Sequence, residues 1–188
     1  MPAMLHNINI IDIVFVILLV GMVYKGAKTG VGGQVASLVG YFILIFAVIT
    51  YYSILSEAIF GFLLQKWAKP VSFFGIAAVI LVVVKVIERV FSMVGDGEIA
   101  SIEKIGGALI AALRASMLFG IIGMMLLLVP LGYVRDAATE GSKSCMYFVE
   151  MDAGIYSWMT GFATFAGKRE KDEIINEFLS STMDQKKG

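Results

Sequence analysis

Residues 105–131, IGGALIAALRASMLFGIIGMMLLLVPL, decide the fold class of this chain. A hydrocarbon core about 30 Å thick requires about 20 apolar residues at a rise of about 1.5 Å each, and this stretch is long enough. Arg114 opposes insertion by about 2.5–3.5 kcal/mol, whereas each Leu, Ile, Phe or Val contributes roughly 0.3–0.6 kcal/mol in favour. Roughly a dozen such residues together supply on the order of 4–7 kcal/mol, so the stretch predicts a transmembrane helix.

The composition extends this prediction to the whole chain. Of 188 residues, 59% are hydrophobic and 16% are charged, far from the averages of about 45–50% and 25% in soluble globular proteins. The formal net charge is zero, which gives no electrostatic argument for binding nucleic acid. The single cysteine, Cys145, can form neither an internal disulfide nor a metal cluster, so we expect no metal and no cofactor.

Four apolar blocks predict an all-α, polytopic fold in the lipid bilayer. The expected spans are roughly residues 8–24, 31–55, 71–94 and 105–131, within a transmembrane domain of residues 1–132. Residues 25–30 are expected to be a short connector, in which Gly26 and Gly30 permit a tight reversal.

Residues 133–188 are expected to form a C-terminal amphipathic helix followed by a charged tail. Apolar side chains recur at helical spacing and predict one face made of Ile155, Trp158, Met159, Phe162 and Phe165. Such a helix suits either the membrane interface or a partner protein. Near the end, Ile174, Ile175, Phe178 and Leu179 could form one or two short amphipathic turns, with disorder expected beyond them.

Small residues recur four apart in two of the predicted helices, where they would let helix backbones approach closely. These candidate packing residues are Gly32, Ala36 and Gly40 in the second helix, and Gly107, Ala111 and Ala115 in the fourth. The alternative is chance, because apolar segments are often rich in glycine.

The rare charges in or beside the apolar blocks are the candidate functional residues. Asp12 lies at the start of the first helix, where the helix macrodipole favours an acid; alternatively, it pairs with a cation on another helix. Lys85, Glu88 and Arg89 share one face of the third helix. They form either a self-paired helix end or a charged cluster that faces Arg114, Asp12 or a polar pathway.

The distribution of basic residues favours an orientation with both termini outside the cytoplasm. Four spans place the two termini on the same side. The first and third loops, with the adjoining helix ends, carry Lys25, Lys28, Lys85, Arg89 and Lys104. Since cytoplasmic loops are enriched in Lys and Arg, these loops are expected to face the cytoplasm.

Several of these residues lie in a pattern that resembles the colicin V production protein (CvpA) family of small bacterial inner-membrane proteins. They are Asp12 in the first helix, Gly30 in the first loop, and Glu103, Lys104, Gly107 and Arg114 in the last motif. The resemblance covers about residues 8–165. The departures are Gly33-Gln34 in place of Arg-Glu, Thr29 in place of a basic residue, and two alanines, Ala111 and Ala115, in place of glycines.

The resemblance implies an integral inner-membrane protein linked to colicin V production or export and to envelope maintenance, with no established catalytic activity. Two functions stay open. The first is a non-enzymatic protein that acts through membrane protein partners. The second is a subunit of a small transporter or channel, a homo-oligomer built around Asp12, Lys85, Glu88, Arg89 and Arg114. An enzyme is disfavoured, because the sequence contains no HExxH motif, no phosphate-binding loop and no paired intramembrane aspartates.

Overall fold

A computed structural model describes residues 9–59, 65–92, 101–139, 141–162 and 171–183 of the chain. The helices are α1 (Ile10–Ile59), α2 (Gln65–Ser92), α3 (Ser101–Leu128), α4 (Gly132–Thr139), α5 (Lys143–Phe162) and α6 (Lys171–Met183). No strand occurs within the described ranges, and the predicted all-α class is confirmed.

Four segments of these helices are long and apolar enough to cross a membrane. They are Ile10–Gly32, Gln34–Ala58, Trp67–Val90 and Ile102–Leu128. Large apolar side chains stay exposed along them, as Val79, Val82 and Val86 do on α2, which is the surface that lipid tails accept. The chain is therefore a multi-pass membrane protein, as its composition predicts. The domain division at residue 132 stays a prediction.

α1 contains two of the spanning segments and reverses at Gly30; residues 10–29 are its first arm and residues 31–59 its second arm. Gly30 has φ 71° and ψ −178°, a backbone conformation that glycine adopts without a Cβ clash. Contacts with α3 show that the chain reverses here. The first arm runs antiparallel to α3, whereas the second arm runs parallel to it. The pairs are Phe15–Phe119, Gly26–Ala111, Val31–Gly106 and Tyr41–Arg114.

The predicted connector at residues 25–30 is wrong over most of its length. Residues 25–29 are helical, and the Thr29 hydroxyl donates to the Lys25 carbonyl one turn earlier at 2.9 Å. The reversal needs only one residue with a positive φ, so helix hydrogen bonding can continue up to Gly30.

α2 packs antiparallel to the second arm of α1. Gly40 lies against Val84, where a Cβ on the glycine would come within 2.6 Å of a valine methyl, and Tyr52 meets Phe73 edge-on at 5.9 Å. Gly40 is the member of the predicted ridge that makes such a contact. A Cβ on Gly32 would meet nothing within 4 Å, so that residue does not belong to a packing seam within the described chain.

The second arm turns a different face toward α3 than the predicted Gly32–Ala36–Gly40 ridge. Ala36 is half-buried, whereas Gln34, Ser37 and Tyr41 are fully buried at spacings of three and four residues. All three residues come within the first turns after Gly30, so the backbone geometry at Gly30 determines which face of the second arm is turned toward α3. On α3, by contrast, Ala111 and Ala115 are both buried.

The C-terminal region packs on the bundle through a face that differs from the predicted one. α5 buries Cys145, Val149, Asp152 and Tyr156, whereas Trp158 of the predicted face is 64% exposed. The approach of α5 to α3 is close because Gly120 and Gly123 have no side chains there. Phe165, from the predicted face, lies outside the described residues.

α6 is longer than the one or two predicted turns, and it is docked against the bundle. Phe178 stacks on Tyr52 at 5.3 Å and meets Phe73 edge-on at 5.9 Å. The Tyr52 hydroxyl also donates to the Glu177 carboxylate at 2.5 Å. A helix with buried apolar residues at i and i+4 (Ile174 and Phe178) gains its order from this packing rather than from its own propensity.

Candidate functional site

Arg114 lies inside the bundle, where its side chain joins three helical segments. Only 3% of the residue is exposed. Its Nη1 donates to the Gln34 side-chain oxygen on the second arm of α1, and its Nη2 lies 3.5 Å from Glu88 Oε1 on α2. The guanidinium carbon is 5.1 Å from the centre of the Tyr41 ring, within cation–π range. The Arg114 Nε–H is buried without a hydrogen-bond partner in the described structure.

Glu88 connects the buried arginine to the protein surface. The residue is 7% exposed, and its Oε2 accepts a hydrogen bond from Lys85 Nζ at 3.1 Å. The Lys85 side chain is 56% exposed. Lys85, Glu88 and Arg114 therefore form a chain of charges running inward from the surface. Because a buried ion loses its hydration, removing one partner of such a pair costs about 3–5 kcal/mol.

A cleft opens to the surface above this chain of charges. Its outer part, about 300 Å³, is lined by Lys25, Thr29, Lys85, Glu88 and Arg89. Its inner part, about 30 Å³, extends to Gln34 and Arg114. We refer to the two parts together as the charged cleft. Four cations and one carboxylate line it.

The charged cleft lies close to the membrane surface rather than at the bilayer centre. Lys25 precedes the Gly30 turn by five residues and Gln34 follows it by four. At about 1.5 Å per residue, both therefore lie roughly 6–8 Å from the turn along the helix axes. That depth is where long basic side chains reach the polar headgroups.

The glycines near the cleft act through backbone contact. A Cβ on Gly107 would lie 2.5 Å from the Gly26 carbonyl oxygen and 3.0 Å from the Gly30 carbonyl group. A Cβ on Gly26 would in turn lie 2.6 Å from the Gly107 carbonyl oxygen. These contacts bring α1 and α3 together beside the cleft, so Gly30 and Gly107 position the charged residues without contributing a functional group.

The sequence-predicted residues divide between this cleft and other places. The cleft brings together Lys85, Glu88, Arg89 and Arg114. Asp12 lies at the other end of the first arm, where its Oδ1 accepts a hydrogen bond from the Ser142 hydroxyl at 2.5 Å. Its partner in the described structure is thus a hydroxyl, not the cation that the sequence left open.

Ser142 is also the N-cap of α5, since its hydroxyl oxygen accepts from the Cys145 N–H at 3.1 Å. Asn9 makes a parallel connection, accepting from the Ile11 N–H at 3.1 Å and donating to the Ala137 carbonyl at 2.6 Å. Asp12 therefore helps to attach the C-terminal helices to the start of α1.

Glu103 and Lys104 are exposed at the start of α3 and do not line the charged cleft. Glu103 lies in the first helical turn, where an acid complements the macrodipole. Both residues lie two or more turns before Arg114 along α3, which separates them from the buried chain of charges.

Sequence reasoning missed Lys25 and Gln34, which line the cleft, and Tyr41, whose ring contacts Arg114. The sequence places Lys25 in a predicted loop, and Tyr41 is indistinguishable from other aromatic residues in an apolar block. Gln34 carried a usable signal, because it is a polar residue near the start of an apolar block and marks a departure from the family pattern. Its amide supplies a neutral partner to Arg114, which leaves Glu88 as the cleft's carboxylate.

Asp152 is a buried ionisable residue, like Glu88 and Arg114, but the sequence gives no sign of its burial. It is fully buried on α5 against Gly120, and neither carboxyl oxygen makes a well-formed hydrogen bond among the described residues. Burial raises the pKa of Asp152 well above its usual range, and the Ile121 backbone N–H opposes this only in part. The neutral acid is therefore the form that this contact favours.

The described residues contain no group of His, Cys, Asp or Glu side chains that could hold a metal ion. The described chain has four spanning helical segments, a buried arginine with partners on two other segments, and a small polar cleft at one end. These features define a multi-pass integral membrane protein.

Residues 11–153 match a family described as colicin V production protein, and the chain belongs to that family. The matched range contains the four spans, the charged cleft and α5 up to Ala153. Comparison with curated proteins and with solved structures found no match.

Proposed function

We propose that this chain is a non-enzymatic protein of the bacterial inner membrane that supports colicin V production, or envelope homeostasis, through membrane protein partners. Membership of the colicin V production family supports a role in that process, and the family is not known as an enzyme family. The observation that carries the proposal is the pairing of Arg114 with Glu88 and Gln34 inside the chain. Charges that pair with one another inside the chain favour a packing role over a polar pathway.

The outer face of α5 is the surface that best suits a protein partner. Tyr147 and Trp158 are 66% and 64% exposed, although α5 itself is docked on the bundle. Large aromatic side chains combine an apolar body with a polar group, and they are enriched in protein interfaces and at membrane surfaces.

The experiment combines a production assay with site-specific crosslinking. Cells that make colicin V but lack this chain are expected to secrete less toxin, and the wild-type chain is expected to restore secretion. A photo-crosslinking residue at position 147 or 158 should then capture a discrete protein. The matched control is position 82, where an exposed valine on the spanning part of α2 faces lipid. Unchanged secretion in cells without the chain would contradict a role in colicin V production.

The charged cleft favours one further candidate, a subunit of an oligomeric transporter or channel. A charged opening that leads inward to Arg114 is the kind of feature that a polar pathway would use. Reconstituted vesicles distinguish the two functions. A pathway predicts ion or solute flux that Arg114→Leu abolishes without loss of folded protein. A structural pairing predicts no flux in the wild type and reduced stability in the variant.

The orientation expected from the sequence suits the same proposal. Lys25, Lys28, Lys85 and Arg89 surround the end of the bundle that contains the Gly30 turn, and Lys104 is close to it along α3. The positive-inside rule assigns that end to the cytoplasm. A cysteine at position 28 should then react with a membrane-impermeant reagent only after the cells are opened. Reaction in intact cells would show that the protein has the opposite orientation.

A further inference from the structure

We propose that the charged cleft binds a phosphate-type oxyanion, supplied either by an anionic phospholipid headgroup or by phosphate in solution. The first argument is charge. Lys25, Lys85, Arg89 and Arg114 line the cleft together with a single carboxylate, that of Glu88. Arg114 is buried, whereas Lys25, Lys85 and Arg89 are exposed at the mouth of the cleft, and basic side chains near a membrane surface attract anionic groups.

The second argument is hydrogen-bonding capacity. Glu88 is shared between Lys85 at 3.1 Å and Arg114 at 3.5 Å, and the other strong partner of Arg114 is the neutral Gln34 amide. The Arg114 Nε–H is buried and has no partner among the described residues. The Lys25 ammonium likewise makes no hydrogen bond or salt bridge that the described side chains provide. Lys25 lines the outer part of the cleft, so its ammonium can donate to the oxygens of an oxyanion held there, whereas Arg114 lines only the small inner part.

The third argument is space and position. The outer part of the charged cleft, about 300 Å³, is large enough for a phosphate group, and the inner part leads to Arg114. Thr29, on the rim, adds a hydroxyl group. Because the cleft lies about two helical turns or less from the Gly30 turn, it is at the depth where headgroup phosphates are found. A lipid phosphate can therefore enter sideways from the bilayer, and a free phosphate from the water.

The test uses the purified full-length protein and native mass spectrometry of retained phospholipid. The variant is Lys25→Gln with Arg89→Gln, which removes two cations from the outer part of the cleft. The control is Lys28→Gln with Lys104→Gln, which removes the same charge outside it. Lys28 lies on the same helix as Lys25 but stacks on Tyr24, 4.4 Å from the ring centre. Both variants must show the thermal stability of the wild type before lipid is added.

The expected result is that the wild type retains phosphatidylglycerol in preference to phosphatidylcholine, and that the cleft variant retains about tenfold less phosphatidylglycerol. The control should change less than about twofold. If inorganic phosphate competes with phosphatidylglycerol in detergent and binds the lipid-free protein, the ligand is the dissolved oxyanion. If phosphate leaves lipid retention unchanged, the ligand is the lipid headgroup.

Two results would overturn the proposal. One is equal retention of phosphatidylglycerol and phosphatidylcholine by the wild type, together with no phosphate binding. The other is equal loss of ligand in the cleft variant and in its control. Neither result bears on colicin V production, because the secretion assay and the binding assay are independent.

Discussion

Gly107 of α3 faces Gly26 of α1 so closely that a Cβ on Gly107 would lie 2.5 Å from the Gly26 carbonyl oxygen. The atom in the way belongs to the backbone, so it cannot move without shifting a helix. This contact brings the first arm of α1 and the start of α3 together, and it lies beside the chain of charges that leads to Arg114.

The first prediction concerns this contact. Gly107→Ala should separate α1 from α3 and lower the free energy of unfolding by about 1–3 kcal/mol through overpacking. Gly32→Ala is the control, since a Cβ there meets nothing within 4 Å. The measurement is the unfolding midpoint of each purified variant in detergent. A Gly107→Ala protein as stable as the wild type would show that the two helices do not approach as described.

The second prediction concerns the Glu88–Arg114 pair. Glu88→Ala leaves a buried guanidinium without its carboxylate, and should cost about 3–5 kcal/mol of unfolding free energy. The double variant with Arg114→Ala should cost less than the sum of the two single changes, because their effects are coupled. For comparison, Lys171→Ala breaks a pair with Glu150 at 2.9 Å whose side chains are both substantially exposed, and it should cost about 0–1 kcal/mol. If the losses of unfolding free energy in the two single variants simply add up in the double variant, Glu88 and Arg114 do not interact.

The third prediction concerns pH and Asp152. The pKa of this carboxyl is raised in the folded protein, so the folded state binds more protons than the unfolded state between the two pKa values. The contribution of Asp152 to stability should therefore be greatest below the ordinary Asp pKa, and fall by up to about 1.4 kcal/mol per unit as pH rises toward the folded-state pKa. Unfolding is measured in detergent across that range.

Asp152→Asn removes the ionisation while keeping the shape of the side chain, so it should remove this fall in stability with pH. Asp136→Asn is the control, because the Asp136 side chain is 64% exposed. If the slope persists unchanged in Asp152→Asn, another group causes the pH dependence.

The fourth prediction concerns the docking of α6. Phe178→Ala removes a fully buried ring from between Tyr52 and Phe73, and a core truncation of this kind costs about 3–5 kcal/mol. Because α6 depends on this packing, its amide hydrogens should exchange much faster in the variant, while those of the spanning helices change little. Asn176→Ala alters an exposed position of the same helix and should leave exchange unchanged. Slow exchange of α6 in Phe178→Ala would mean that other contacts hold it.

The fifth prediction concerns Cys145. Burial, with a smaller contribution from the Asp12 charge, raises the pKa of this thiol to about 11. At pH 7 the thiolate fraction is then about 10⁻⁴, so maleimide should label the folded protein very slowly. Tyr147→Cys in a Cys145→Ala background presents an exposed thiol on the same helix and should react rapidly. Fast labelling of native Cys145 would show that α5 leaves the bundle.

Much of the fold follows from the sequence because membrane insertion depends on sums over long segments. The apolar blocks are unambiguous, and a single Arg114 does not outweigh the residues around it. The reversal of α1 at one glycine was harder to predict, because Lys25 and Lys28 resemble loop residues. Residues 25–29 are helical, and Gly26 packs against Gly107 and Ala111 of α3, a contact that no local signal encodes.

The candidate site was predicted in part. Lys85, Glu88 and Arg89 share a helix face by spacing alone, and the approach of Arg114 was one of the stated alternatives. Asp12 could not be paired from the sequence, because its partner Ser142 follows it by 130 residues. Asp152 looked like one polar residue of an amphipathic helix, and only the contact with Gly120 shows that it is buried.

The one-residue reversal at Gly30 has a consequence for biosynthesis. With no polar loop between them, the two arms of α1 have no intermediate point at which the first could be inserted and completed alone. We therefore expect the nascent chain to present both arms to the insertion machinery as a single hairpin. The topology of the first crossing would then be committed only once the second arm, up to Ala58, has also emerged.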